Sequence, residues 1–289
     1  MDASETIFSI HALRRAWQWV RRGGVMPGTD GVTLERFNTA LDSELNRLRH
    51  HVLTGVYQPY PVRRFFLKKS NGKQRPISVW TVRDRVAQRV VHDYLTVPFE
   101  AIFLACSYGF RPGRSTEDAV QAVIRARDSG QLWVLDADIA DCFGSIPLQP
   151  LQGQVARVID QPLVNHLLDV WLHTPIAGRR GEIAGVSQGG IISPPLANLY
   201  LHRFDEMITA ALPRSTLVRF ADDFVLLSFT EEDSVWSLDV ARRSLENLHL
   251  RLNLRKTRLV TFDEGFTFLG ATFKGRWHRL ATEKGEDSP

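Results

Sequence analysis

Residues 219–229, RFADDFVLLSF, set two aspartates side by side between apolar runs. Like charges in apolar surroundings repel and lose hydration, so they persist where a cation joins them. An ordinary tight turn, in which Asp is favoured, is the alternative, and only partners elsewhere in the chain can decide. A third carboxylate, Asp138, sits near the end of the strand 132–139 read in QLWVLDADIADCF, whose alternation turns it away from Leu135 and Ala137. If the 219–229 hairpin packs beside that strand in one sheet, three carboxylates meet at one sheet edge. Hard divalent Mg²⁺ with oxygen ligands suits such a cluster. Two ions roughly 3.5–4 Å apart clamp the entering and leaving oxygens of a phosphoryl transfer. Asp136 and Asp141 lie close by and compete for the ligand role on spacing alone.

A second feature points to the same chemistry. Between Pro61 and Val90 stand nine basic residues (Arg63, Arg64, Lys68, Lys69, Lys73, Arg75, Arg83, Arg85, Arg89) against one acid, Asp84. A field of that sign attracts polyanions such as nucleic acids and nucleotide phosphates. A merely solvated basic face is the plainer reading. Interleaved Phe65, Phe66, Leu67, Ile77 and Val79 argue for charges mounted on a strand pair.

The elements that must position these groups follow from periodicity and punctuation. Apolar spacing predicts a helix over 5–22, ended by Gly23-Gly24, and a second from Leu34 to about Leu53. YPVRRFFLKKSNGKQRPISV reads as a β-hairpin turning at Ser70-Asn71-Gly72. A helix over 81–98 is expected to stop at Pro98. Ser115-x-x-Asp118 opens another with a capping-box signature. Strand 132–139, a helical stretch over 151–173, VSQGGIISPPLANLYLHRFDEMITAAL as a Gly/Pro loop running into a long helix, and the 219–229 strand pair follow. Leu238, Ala241, Leu245, Leu248 and Leu252 predict a helix over 234–252, and the polar tail WHRLATEKGEDSP is expected to fray.

Bulk composition narrows the class. The 289 residues are 44% hydrophobic and 24% charged, with net charge +4, which is ordinary for a soluble globular protein. No apolar run approaches the roughly 18 residues of a membrane span. The N-terminus lacks a signal-peptide core, so a cytoplasmic location is expected. Two cysteines, Cys106 and Cys142, form neither a disulfide framework nor a zinc site.

Several stretches carry a family resemblance. FADD between apolar strands resembles the YADD box of reverse transcriptases. RPISVWTVRDRVAQRVV, SYGFRPGRSTEDAV, DADIADCF and SQGGIISPPLANLYLHRFD are similar to successive blocks of the bacterial group II intron-like lineage, in that family's order. The similarity runs from about Gly28 to about Lys274, most of the chain. The resemblance implies an α+β, right-hand polymerase of fingers and palm, with an antiparallel palm sheet backed by helices. It implies an N-terminal helical extension over 1–57, fingers over 58–131, a palm over 132–274 with a finger-like helical insertion at about 151–185, and a tail over 275–289. Few residues follow Lys274, so the thumb is expected to be absent or vestigial. Its function then falls to a partner protein or a non-coding RNA, processivity is given up, or the chain is a fragment.

Carried over position by position, the resemblance assigns Asp138, Asp222 and Asp223 to two Mg²⁺ ions, with Mn²⁺ as substitute. Phe143 matches the residue that excludes a 2′-hydroxyl, with a plain core aromatic as the other reading. Lys69 and Arg75 match positions holding the incoming triphosphate, and Lys68 can replace Lys69 if the hairpin register shifts by one. Gln188, with Gly189 and Gly190 after it, matches a contact to nucleotide and template. Lys256 matches a lysine near the triphosphate that can protonate pyrophosphate; a surface lysine is its alternative. FTFLGATF matches the segment supporting the primer end. Phe220 replaces the usual Tyr of the box, and Gly144 stands where many relatives carry Asp or Phe. The implied partners are an RNA template, a nucleic-acid primer and dNTPs, with no membrane. The implied activity is RNA-directed DNA polymerisation, in phage defence, CRISPR adaptation or a retroelement. Its rival is a non-catalytic, maturase-like RNA-binding scaffold.

Overall fold

Capping residues cut the N-terminal periodicity into pieces. In a computed structural model, which describes residues 3–23, 26–68, 74–178 and 185–280, α1 (Ala3–Ile7) stops and α2 (Ile10–Val20) restarts at Ser9. The Ser9 hydroxyl accepts from the Ala12 amide at 3.3 Å. The single helix expected over 5–22 is therefore two, because an extended serine gives the first amides a partner outside the helix. The helix expected over 34–53 is likewise broken at Ala40 into α3 (Leu34–Thr39) and α4 (Leu41–Leu53). Strands β1 (Arg63–Lys68) and β2 (Gln74–Val79) pair antiparallel, with Phe65 opposite Ile77; the expected 70–72 turn lies outside the described residues. Helix α5 (Val82–Glu100) passes through Pro98, expected to end it. The missing proline amide falls in the last turn, where little of the hydrogen-bond ladder remains to be lost.

By contacts the chain divides into two units that alternate along the sequence: Met1–Ile102 with Phe143–Leu199, and Phe103–Cys142 with Tyr200–Pro289. In the first, α2 packs on α4 and α5, burying Leu13, Ala16, Trp17 and Val20. The first turn of α5 itself carries a buried acid. Asp84 is 0% exposed and accepts from Tyr57 Oη at 2.7 Å, Thr81 Oγ1 at 2.7 Å and the Tyr60 amide at 3.1 Å. Trp171 Nε1 donates in turn to Tyr57 Oη at 3.0 Å. This ties α5 to α9 (Pro162–Leu172), the second of two helices after α8 (Leu148–Val158) where one over 151–173 was expected.

The second unit carries the four-stranded antiparallel sheet. Helix α6 (Thr116–Asp128) begins with the expected capping box between Ser115 and Asp118. Strand β3 (Trp133–Asp138) lies between β5 (Asp223–Ser228) and β6 (Arg258–Thr261), with β4 (Thr216–Phe220) at the edge beyond β5. The expected union of the acidic hairpin with the Asp138 strand is thus present. The short helix α7 (Cys142–Ser145) and helix α10 (Ser193–Ala211) each span a boundary between the units. Strand alternation defines two faces. Val134, Val218, Val225 and Leu227 join the buried residues of α6 in one apolar cluster. On the other face Phe224 meets Phe204 of α10, ring centroids 5.1 Å apart, and α11 (Glu231–Asn247) packs on β3 and β5. That helix ends five residues before the expected Leu252. Strands β7 (Phe266–Phe268), β8 (Ala271–Lys274) and β9 (Trp277–Leu280) form a separate sheet. WHRL, expected to fray, is its third strand because it pairs with β8. No helix among the described residues is long and apolar enough to cross a membrane.

Candidate active site

The acidic turn is built by strand register. Asp138 is the cross-strand partner of Asp223, and Phe220 is the partner of Asp223 on the other side, so all three share one row of one face. Asp136 lies one row inward, opposite Val225. Asp222 stays with the row through its backbone, whose carbonyl accepts from the Ile139 amide at 3.1 Å. Ala221 takes φ of +57° and Asp141 +41°, left-handed conformations flanking the acids. Such strain persists at functional sites where the surroundings enforce it.

Electrostatics follow from this crowding. Burial, then Asp222 and Asp138 beside it, pushes the Asp223 carboxyl up to about 7. Asp138 is 7% exposed and accepts from Lys256 Nζ at 2.6 Å and Asn253 Nδ2 at 2.7 Å. The hydrogen bond to Asp138 raises the Lys256 pKa, so this ammonium keeps its proton at neutral pH. Asp136, also raised by burial, is paired with Arg258 at 2.6 Å. Asp141 is exposed. Of the competing acids, Asp138 is therefore the one set opposite Asp223.

Among the described residues no three His, Cys, Asp or Glu side chains stand grouped to hold a metal ion as they are placed. The donor chemistry nonetheless fits a hard cation: carboxylate oxygens without nitrogen or sulfur ligands, in a cluster whose mutual repulsion a positive charge relieves. Lys256 already supplies one such charge. Cys142 borders this cluster, and its thiol is pushed up by burial and then by Asp222. Burial likewise lifts Cys106 to about 12. Both thiols should therefore resist alkylation. At pH 8 the folded protein is expected to react with iodoacetamide slower by on the order of a hundredfold than in denaturant, as read by mass spectrometry.

The other expected site residues belong to the first unit. Lys69 lies outside the described residues. Arg75 is in β2 opposite Leu67, and Lys68 ends β1 exposed. The Gln188 carbonyl accepts from the Ser78 amide at 2.7 Å. A Cβ on Gly189, at φ +109°, would lie 2.3 Å from the Ser78 carbonyl oxygen. The close approach that requires glycine here is thus to β2. Phe143 is buried, with its carbonyl accepting from the Val186 amide at 2.7 Å. Sequence reasoning missed Asn253. Its only signal is a polar residue three positions before Lys256, in the turn where the Lys256 amide donates to the Asn253 carbonyl at 2.9 Å.

A four-stranded antiparallel sheet, helices on both faces and an acidic turn at one end characterise the polymerases of the right-hand class. Telomerase from Candida tropicalis, solved with a TWJ fragment of telomeric RNA, shares this fold at a TM-score of 0.64 and 12% identity, over 83% of this chain and 48% of that one. The chain belongs to the reverse transcriptase (RNA-dependent DNA polymerase) family, whose pattern matches residues 67–273. It is similar to protein YkfC of Escherichia coli K12, 34% identical over 91% of this chain and 78% of that protein. The group II intron-encoded protein LtrA of Lactococcus lactis is 30% identical over 62% of this chain. This places the chain in the group II intron-like lineage. It spans 31% of the LtrA length and about half of the telomerase.

Proposed function

We propose that this chain extends a nucleic-acid primer on an RNA template, adding deoxynucleotides by in-line attack of the primer 3′-hydroxyl on the α-phosphate. The observation that carries the reading is the cross-strand pairing of Asp138 with Asp223 beside Asp222, in a row whose repulsion lifts the Asp223 carboxyl. Asp138, Asp222 and Asp223 would hold two divalent ions. Bound there, the ions supply charge neutralisation at the attacking and leaving oxygens. Asn253 fixes one Asp138 oxygen, and Lys256, protonated and adjacent, is placed to give a proton to departing pyrophosphate. Lys69 or Lys68 and Arg75 grip the triphosphate, Gln188 and Gly189 face the nucleotide, and Phe143 sets sugar choice. Fingers over 58–131 and a palm over 132–274 complete the assignment.

The test is incorporation of labelled dNTPs on a primed RNA template with Mg²⁺. Extension is expected, with loss on EDTA and recovery on Mg²⁺ or Mn²⁺. Absence of extension at every metal concentration would favour the RNA-binding scaffold instead. In the same assay Phe143→Ala should raise ribonucleotide use relative to deoxynucleotide by about tenfold or more, since removal of a shape constraint on one substituent is worth 1–3 kcal/mol. An unchanged ratio returns Phe143 to the core. Phage defence, CRISPR adaptation and a retroelement are the settings open to such an enzyme, and sequencing the nucleic acid that copurifies separates them.

A further inference from the structure

Arg219 immediately precedes the acidic box, yet it takes no part in the chemistry above. It is 0% exposed, where a guanidinium costs several kcal/mol unless its donors are matched. Nε donates to Asp205 Oδ1 and Nη2 to Asp205 Oδ2, both at 2.6 Å. Nη2 also donates to Ser107 Oγ at 2.9 Å, and Nη1 to the Ala221 carbonyl at 3.0 Å. Its backbone is tied as firmly: its amide donates to the Cys106 carbonyl and its carbonyl accepts from the Tyr108 amide, each at 2.8 Å.

Alternation puts Arg219 on the face opposite Phe220, Asp223 and Asp138. The acids stand at the front of the sheet, and the Arg219–Asp205 pair grips the same turn from behind through the Ala221 carbonyl. Ala221 is the residue held at φ +57°. It is confined from a second side as well, since a Cβ on Gly109 would fall 2.5 Å from its amide nitrogen. The one residue whose backbone sets the direction of Asp222 and Asp223 is therefore fixed by a buried, forked cation and by a glycine.

We infer that Arg219, oriented by Asp205, is a positioning residue that fixes the Ala221 carbonyl and so holds Asp222 and Asp223 at divalent-ion geometry toward Asp138. This rests on the reading that those acids bind divalent ions. A buried pair serving stability alone would look similar, so the test must read the ion site and not only the fold. Lysine keeps the charge at Asp205 but lacks the planar fork that also reaches Ala221.

Mn²⁺ binding to the full chain, followed by electron paramagnetic resonance without nucleic acid, is the direct measurement. Arg219→Lys is expected to weaken Asp222-dependent Mn²⁺ binding by roughly ten- to a hundredfold, the range for lost support of a metal ligand. In primer extension the Mg²⁺ requirement should rise by the same factor, while the KM for dNTP at saturating Mg²⁺ stays within about twofold, because nucleotide-binding residues are untouched. Folded Arg219→Lys protein with wild-type Mn²⁺ affinity overturns the inference. Should that variant fail to fold, Ser107→Ala decides. It removes one charge-assisted hydrogen bond from the fork and should weaken Mn²⁺ about threefold; wild-type affinity again overturns. Wild-type protein whose Mn²⁺ binding is indifferent to Asp222→Asn would instead sink the underlying reading of the acids, and the inference with it.

Discussion

Asp222→Asn should cut RNA-templated dNTP incorporation by on the order of a thousandfold or more while leaving the thermal transition in place. The size follows from what the charge does: in a site where electrostatic preorganisation lowers the barrier, one lost donor alone costs 10²–10³. The structural cost is small. Asp222 joins the sheet through its backbone carbonyl to the Ile139 amide, which asparagine retains. Neutralising it also removes one of the two like charges crowding Asp223, so stability at neutral pH should not fall. Steady-state extension and circular dichroism melting together check this. Near-wild-type synthesis would remove Asp222 from the mechanism, and a collapsed melting curve would show the residue to be structural.

The largest expected effect on stability lies elsewhere, at Asp84→Ala. Its two oxygens accept from Tyr57, Thr81 and the Tyr60 amide, and Arg83 Nη2 stands 3.1 Å away. Alanine leaves these donors buried without an acceptor. Removing one partner of such a set costs about 3–5 kcal/mol. Burial, the first cause that holds the Tyr57 pKa well above its ordinary value, remains in the variant, so the phenol stays a protonated donor. At about 2–4 °C per kcal/mol for a unit of this size, the melting temperature should drop by roughly 10 °C. A fall of less than about 2 °C would mean that water takes over the role of the carboxylate.

Asp84 also marks a limit of sequence reading. In the stretch from Pro61 to Val90 it counts as the one acid among nine bases, a minor offset to a positive field. Packed, it is the hub joining α5 to the Tyr57 segment and, through Trp171, to α9. Composition reports charge but not depth, and the partners of Asp84 reach it from as far away as residue 57. The three acids were legible because their own neighbours announce them: an alternating strand ending in Asp138 and a paired-aspartate turn between apolar runs. Asn253 and Arg219 were not. Each acts through contacts more than a hundred residues away, to Asp138 and to Ser107 respectively. Locally Asn253 is one polar turn residue and Arg219 an interruption in a strand. Helix ends failed in the same way. Ser9 and Ala40 break helices whose apolar periodicity continues across the break, and periodicity senses a face, not a cap.

The sequence reading sets a finger-like helical insertion at about 151–185 inside the palm; by contacts, 103–142 gather with 200–289. Helix α6 packs on β4 and β5, strands that follow it only after residue 215. Such pairing has no local signature.

The central place of β3 carries a consequence for synthesis on the ribosome. Both of its neighbours, β5 and β6, are translated long after it, and the sheet closes only when residues 258–261 have emerged. Until residues 223–228 emerge a nascent chain carries Val134 and Leu135 on a strand flanked on neither side, and until 258–261 emerge one of its edges stays open, the condition under which edges pair wrongly. The interval between making Asp138 and surrounding it is when the chain is most open to wrong strand pairing.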